Sequence, residues 1–145
     1  KVPFVINQNR YNILDRGIEE NGLKAAAEKR GKGIISFCSL AQGVLTDRYL
    51  EGIPEDSRIM TDGRFLMSDQ VISQMETVRR LNEVAAARGE SLAQMALKWI
   101  MRDGVVTSML VGASRPSQIL ENLKVLEGAS LSEEEIAEID RICGC

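Results

Sequence analysis

Short apolar segments alternate with helical segments along this chain, and the alternation limits its fold more than any other feature does. Apolar runs predict three strands, at residues 2–7, 34–38 and 107–111. Gly stop signals and Ser-x-x-Gln or Ser-x-x-Glu capping boxes help to predict helices at residues 22–30, 68–88, 91–102, 116–126 and 132–142. The order βαβααβαα predicts an α/β fold whose parallel sheet is covered by helices.

Three parallel strands are too few to close into a barrel. They leave two apolar edges, which natural proteins normally cover or pair. The sequence also starts inside a predicted strand, at Lys1 and without an initiator Met. We therefore expect residues 1–145 to be a contiguous C-terminal part of one larger domain, in which Trp99 and its helical neighbours Leu92, Met95 and Ala96 pack in the core.

The segment after the third strand predicts an anion site. It passes through small residues into a helix that begins near Pro116, and backbone N–H groups at a helix N-terminus are aimed at whatever anion lies there. The segment adds side-chain donors at Ser114, Arg115, Ser117 and Gln118. Glu121 and Asn122 share a helix face with Gln118 and could bind the edge of a base. The alternative is an ordinary capped helix, because Ser and Pro are common at helix starts.

Composition limits the partners and the chemistry. The chain has 18 basic and 21 acidic residues, interspersed, for a net charge of −3, which argues against nucleic acid. It shows no apolar stretch of the roughly 20 residues that span a bilayer and no secretion signal, so we expect a cytoplasmic location. Cys38, Cys143 and Cys145 are interpreted as reduced thiols, with a metal site as the minor alternative. Since there is no His, Ser/His and Cys/His mechanisms are excluded within this chain.

Four segments, taken in order, resemble the aldo-keto reductase family. They are NQNRY at 7–11, FCSLAQGVLTDRYLEGIPEDSR at 37–58, SLAQMALKW at 91–99 and GASRPSQILEN at 112–122. The resemblance covers essentially the whole chain. It is closest to the bacterial glyceraldehyde-phosphate reductase branch, which is similar to the β-subunits of voltage-gated potassium channels. It implies the last three βα units of a (β/α)8 barrel, with the catalytic Asp, Tyr, Lys and His of the family on earlier strands that are not in this chain.

The same resemblance implies a nicotinamide site on the first two strands. Gln8, predicted at the end of its strand, would bind the carboxamide, and Phe37 would lie against the nicotinamide ring. Alternatively, Gln8 is simply a polar residue at the end of a strand, and Phe37 is simply part of the barrel core. Leu40, Gly43 and Thr46 would shape a loop over the pyrophosphate, and Cys38 and Ser39, just before them, are also candidate cofactor-binding residues. Cys38 and Ser39 depart from the family pattern, which usually has Ser or Thr followed by Pro.

The resemblance also implies phosphate and adenine sites. The long connection at residues 40–67, which itself predicts a functional loop, would supply Arg48 and Arg58 to phosphate oxygens, although loop arginines are often merely solvated. The adenosine 2′-phosphate would be held by residues after the third strand, and adenine by the helix that follows: Gly112, Ser114 and Gln118 for the phosphate, Glu121 and Asn122 for the base. The implied cofactor is therefore NADP.

The leading hypothesis is the NADP-binding C-terminal portion of an aldo-keto reductase that reduces small aldehydes or ketones by hydride transfer. This portion would be inactive alone and would need the missing N-terminal half-barrel. The alternative is a non-catalytic nucleotide-binding module, similar to a redox-sensing subunit, or a half-barrel that associates with itself. A third possibility is a truncated chain that packs loosely without its missing half.

Overall fold

A three-stranded parallel sheet forms the centre of the fold in this computed structural model, which describes residues 3–55 and 68–145. The strands are β1 (Ile6–Arg10), β2 (Gly33–Phe37) and β3 (Val106–Met109), and they lie in the order β1-β2-β3. Both neighbouring pairs are parallel, with an irregularity in the β2–β3 register between Ile34 and Ile35. The predicted α/β class and parallel pairing are confirmed, and β1 and β3 are the edge strands.

Helices occupy the connections between these strands and the segment after β3. In the described ranges they are α1 (Gly17–Glu20), α2 (Leu23–Lys29), α3 (Ser68–Ala87), α4 (Leu92–Met101), α5 (Pro116–Leu123) and α6 (Glu133–Cys143). Short 3₁₀ turns lie at Ala41–Gly43, Asp47–Tyr49 and Lys124–Leu126, so the helix predicted at 116–126 tightens over its last turn. The sequence did not predict α1, because four residues are too few to show a helical period.

The predicted strand boundaries were wrong, because backbone pairing and not the apolar run decides where a strand lies. The first strand was predicted at 2–7 but forms at Ile6–Arg10, where each residue faces a residue of β2, from Ile6 opposite Gly33 to Arg10 opposite Phe37. The second strand ends one residue early, since Cys38 turns out of it with a φ of 54°. The third ends at Met109, two residues before its predicted end.

The two predicted capping boxes are confirmed. At the start of α4, the backbone N–H of Gln94 donates to Ser91 Oγ at 3.2 Å, and the backbone N–H of Ser91 donates to Gln94 Oε1 at 3.0 Å. At the start of α6, the corresponding distances between Ser132 and Glu135 are 3.2 and 2.7 Å. These reciprocal bonds satisfy N–H groups that the helix itself leaves without partners, so the local sequence fixes where both helices begin.

The hydrophobic core lies between the helices and the sheet, and the predicted packing role of α4 is confirmed. Trp99, Met95 and Ala96 are fully buried, and Leu92 is 1% exposed. Several large apolar side chains stay exposed, at the start of the chain near β1, after β3 and on α5: Phe4, Val5, Ile6, Leu110, Val111, Ile119, Leu120, Leu123 and Leu126. Within the described ranges, no helix has the length and apolar character needed to cross a bilayer.

Candidate functional site

The predicted site residues of the first two strands share one face of the sheet. Gln8 pairs with Ile35, and side chains alternate along a strand, so Gln8 lies on the same face as Ile35 and Phe37. Gln8 is exposed, whereas Phe37 is half-buried as the last residue of β2. Gln8 lies in the middle of β1 and not at its end, which corrects the predicted position. The amide and the aromatic ring are nevertheless diagonal neighbours on a sheet face that a ligand can reach.

A buried serine joins the loop after β2 to the chain after β3. Ser39 is 1% exposed, its Oγ lies 3.1 Å from Ser36 Oγ, and it donates a hydrogen bond to the Leu110 carbonyl at 3.2 Å. Leu110 is two residues before Gly112, which is exposed. The segments that follow two neighbouring strands are thereby held together at the carboxyl edge of the sheet, where parallel α/β proteins bind ligands.

The backbone of the segment Cys38–Gly43, called here the β2 loop, is strained. Cys38, Ala41 and Gln42 have φ values of 54°, 47° and 58°, and they are the non-glycine residues with positive φ in the described ranges. Gly43 follows at 99°, a value that favours glycine. Each such non-glycine residue costs on the order of 1–3 kcal/mol, and strain of this kind concentrates at functional sites.

The β2 loop leaves a backbone donor available. The N–H groups of Ala41 and Gly43 donate to the carbonyls of Cys38 and Leu40, at 2.8 and 2.9 Å. The N–H of Leu40 has no acceptor among residues 3–55 and 68–145. Leu40 is half-buried, and its side chain packs against the core. This N–H is therefore a candidate hydrogen-bond donor to a ligand.

Beyond Gly43, a threonine stabilises the next turn. Thr46 Oγ1 donates to the Gly43 carbonyl at 2.6 Å and accepts the Arg48 backbone N–H at 3.2 Å. The Arg48 side chain is exposed, so its guanidinium lies where a soluble anion can reach it. Arg58 lies outside the described residues.

The predicted anion site at the start of α5 is occupied by a side chain of the chain itself. Gln118 Oε1 accepts hydrogen bonds from the backbone N–H of Ser114 at 2.8 Å, from Ser114 Oγ at 3.1 Å and from the backbone N–H of Arg115 at 3.1 Å. The amide of Gln118 thus presents its acceptor there, although the sequence suggested a donor. Gln118 Oε1 accepts the hydrogen bonds that a phosphate oxygen would accept here, so a phosphate can bind at this position only by displacing that oxygen.

The two predicted adenine contacts lie further along α5. Glu121 is exposed and pairs with Lys124 at 2.8 Å, while Asn122 is half-buried. The Gln94 side chain donates to the backbone carbonyl of Glu121 at 3.1 Å. This bond ties α5 to α4 and fixes where the predicted adenine edge lies relative to the core.

Sequence reasoning missed Asn12. This residue is 2% exposed, and its Nδ2 donates to the Cys38 carbonyl at 2.9 Å, which connects the chain after β1 to the β2 loop. Its Oδ1 accepts the Leu14 backbone N–H at 2.9 Å. A sequence signal was available, since Asn often bonds the backbone two residues ahead of it in turns.

Sequence reasoning also missed a buried polar cluster around the Tyr11 hydroxyl. Lys24 Nζ and Arg102 Nη1 each lie 2.9 Å from this hydroxyl, which donates to the Glu19 carboxylate. Lys24 Nζ also pairs with Asp103 at 2.5 Å. Partners 79 and 91 residues apart along the chain leave no local sequence signal.

The protonation states of this cluster indicate a structural role. Burial, followed by the hydrogen bond to Glu19, raises the pKa of Tyr11. Burial alone would raise the pKa of Glu19, but hydrogen bonds from Tyr11, Lys24 and Arg102 outweigh it and lower that pKa to about 2. Tyr11 is 0% exposed, so no substrate reaches its hydroxyl, even though a Tyr, a Lys and an Asp meet here.

Comparison with known proteins relates the chain to one family. Residues 1–143 match the model of the aldo/keto reductase family. The chain is 44% identical to L-glyceraldehyde 3-phosphate reductase of Escherichia coli O157:H7, over 97% of this chain and 42% of the relative. It is 34% identical, over 95% of its length and 42% of the relative, to a Schizosaccharomyces pombe protein whose name assigns it to voltage-gated potassium channel β subunits.

Solved structures of similar proteins are α/β barrels of which this chain resembles a part. A glycerol dehydrogenase from Gluconobacter oxydans matches with a TM-score of 0.78 and 26% identity, over 97% of this chain and 42% of that one. An aldo/keto reductase from Klebsiella pneumoniae, solved with NADP and acetate, matches with a TM-score of 0.63 and 26% identity, over 95% and 39%. The chain thus spans less than half the length of each of these relatives, and its fold is a partial α/β barrel.

Proposed function

The chain belongs to the aldo/keto reductase family, and we propose that it is the NADP-binding C-terminal portion of such a reductase. The observation that carries the proposal is the placement of cofactor-type residues on one face of the sheet and in the segments that follow its carboxyl edge. Gln8 and Phe37 share a face, and the Ser39–Leu110 bond brings the β2 loop beside the chain that leads to Gly112. A nicotinamide dinucleotide laid across this edge would meet its ring contacts at one end and its phosphate contacts at the other.

The residues present fit such a cofactor. Gln8 offers an exposed amide with both a donor and an acceptor, which suits a carboxamide. Leu40 offers a backbone N–H that has no acceptor among residues 3–55 and 68–145, and Arg48 is exposed in the turn that follows, where an arginine suits pyrophosphate oxygens. Ser114 is exposed beside Gly112, where a 2′-phosphate would distinguish NADP from NAD. The structures of a Klebsiella pneumoniae relative with NADP and with NADPH support that choice.

The proposed reaction is the reduction of a small aldehyde or ketone. The bound nicotinamide supplies the hydride, while Gln8 and Phe37 orient its ring and the β2 loop holds its phosphates. Three-carbon compounds are the first candidates, because relatives of this chain are named for L-glyceraldehyde 3-phosphate and glycerol. The proton donor would come from the barrel strands that the relatives carry outside the matched region. The cytoplasmic location of the chain stays a prediction from the sequence.

An activity assay tests this proposal. The chain is purified alone and also co-expressed with the part of the Escherichia coli relative that precedes the matched region. NADPH oxidation is then followed with glyceraldehyde 3-phosphate. We expect no turnover from the chain alone and turnover from the pair. Turnover by the chain alone would refute the missing-acid proposal, and a stable pair without turnover would refute the reductase role.

Exposed apolar side chains favour a second candidate, a half-barrel that associates with its own copies. Leu110 and Val111 after β3, together with Ile119, Leu123 and Leu126 in and after α5, are exposed large apolar side chains, and where such side chains adjoin one another they mark interaction sites. Two copies supply six strands, so a closed eight-stranded barrel requires altered pairing. The molar mass measured by light scattering tests self-association. A wild-type dimer that becomes a monomer in the double variant Leu123→Glu, Leu126→Glu supports this candidate, whereas a wild-type monomer contradicts it.

A further inference from the structure

Asn12 is fixed from both ends of its side-chain amide. Its Oδ1 accepts the Leu14 N–H at 2.9 Å, and its Nδ2 donates to the Cys38 carbonyl at 2.9 Å. The backbone groups of Asn12 also pair with those of Asp15 in both directions, each at 3.1 Å. With 2% exposure, the residue is buried, and both polar atoms of its amide have partners. Asn12 is therefore a rigid connection between the turn after β1 and the first residue of the β2 loop.

The group that Asn12 holds begins the strained backbone. The Cys38 carbonyl accepts hydrogen bonds from both Asn12 Nδ2 and the Ala41 N–H. Cys38 itself, Ala41 and Gln42 have positive φ. Such backbone persists only where surrounding contacts over-determine it. Asn12 and Ser39 make those contacts, Asn12 toward the β1 side and Ser39 toward the chain after β3. Without the Asn12 donor, the Cys38 carbonyl keeps only its bond to Ala41 within the loop.

We infer that Asn12 is a positioning residue for the dinucleotide site. By holding the Cys38 carbonyl, it keeps the β2 loop in the shape that leaves the Leu40 N–H available to a pyrophosphate oxygen. This inference rests on the proposed function, but it concerns the pyrophosphate part of the site alone. Asn12 touches no ligand in this account. Its effect is transmitted through the loop backbone, so it should not extend to the 2′-phosphate contacts at Ser114.

Asn12→Asp tests the inference, because an aspartate keeps an acceptor for the Leu14 N–H and removes the donor to Cys38. Asn82→Asp, at a half-buried position on α3, is the matched control. Binding of NADPH and of adenosine 2′-monophosphate is measured with the co-expressed pair. We expect Asn12→Asp to weaken NADPH about tenfold, as the loss of one well-placed hydrogen bond predicts, and to leave adenosine 2′-monophosphate unchanged. Equal weakening of both ligands, or of neither, overturns the inference.

Amide hydrogen exchange on the chain alone gives a readout that does not depend on cofactor. The Ala41 N–H, bonded to the Cys38 carbonyl, should exchange faster in Asn12→Asp, while the Leu110 N–H, bonded to the Ser36 carbonyl, should not change. Unchanged exchange at Ala41 contradicts the positioning role. If wild type binds no NADPH while Ala41 responds as expected, the proposed function fails and the inferred control of the loop stands.

Discussion

The hydroxyl of Tyr11 joins side chains from three separate segments of the chain. It connects Glu19 in α1, Lys24 in α2 and Arg102 after α4, and the Arg102 guanidinium stacks over the Trp99 ring at 3.7 Å from its centroid. Because these charged groups are partly buried, losing one of them leaves its partners without a hydrogen bond or an opposite charge, and an unpaired buried charge raises the free energy of the folded state. Removing one member of the cluster should therefore destabilise the fold in this region.

Tyr11→Phe should lower the free energy of unfolding by about 1–3 kcal/mol, because the buried partners of the hydroxyl lose one hydrogen bond each. Tyr49→Phe is the matched control, since Tyr49 is equally buried and its hydroxyl has no hydrogen bond to any residue in the described ranges. Urea unfolding of both variants measures the difference. Equal stability of the two variants would show that the cluster contributes nothing.

Glu19 predicts a pH dependence. Its pKa falls from 4.5 to about 2 on folding, so its stabilising effect is complete above the unfolded value and is lost as the pH falls toward the folded one. The stability difference between wild type and Glu19→Gln should therefore shrink as the pH falls from about 5 to about 2. Glu20→Gln, at the exposed neighbouring carboxylate, is the control in a series of urea titrations. A difference that is constant with pH contradicts the low pKa.

At the scale of elements, helix starts could be predicted from sequence because their signals are local. Ser91 and Ser132 mark the starts of α4 and α6 through side chains that bond within three residues. Strand limits could not be predicted so closely, since β1 lies where β2 offers pairing partners and not where the apolar run 2–7 lies. For the same reason Gln8 was predicted at a strand end and lies in the middle of one.

Ser132→Ala should destabilise the chain by about 1 kcal/mol, because it removes the acceptor for the Glu135 backbone N–H at the start of α6. Glu135 also pairs with Arg88 of the segment after α3, so the cap orients a carboxylate that joins two elements. Ser130→Ala, an exposed serine without a hydrogen bond in the described ranges, is the control for thermal unfolding. A midpoint equal to that of the control contradicts the capping role.

At the scale of the whole molecule, the sequence predicted the fold class, whereas the cofactor site at the carboxyl edge of the sheet stays a prediction. The sequence could not predict the bond from Asn12 to Cys38, because this contact joins residues 26 positions apart. The positive φ values of Cys38, Ala41 and Gln42 were also not predicted, since none of these residue types favours such a backbone. The oxygen of Gln118 at the start of α5 was likewise unforeseen, since its side chain could present either a donor or an acceptor.

The most direct measurement of NADP binding is the emission of NADPH titrated with the co-expressed pair, set beside the same titration with NADH. We expect NADPH emission to shift and NADH to bind more weakly. Ser114→Ala should reduce the ratio of NADPH affinity to NADH affinity. An NADPH emission spectrum that stays constant at saturating protein, or equal affinity for both dinucleotides, would contradict a phosphate-bearing cofactor across these strand ends.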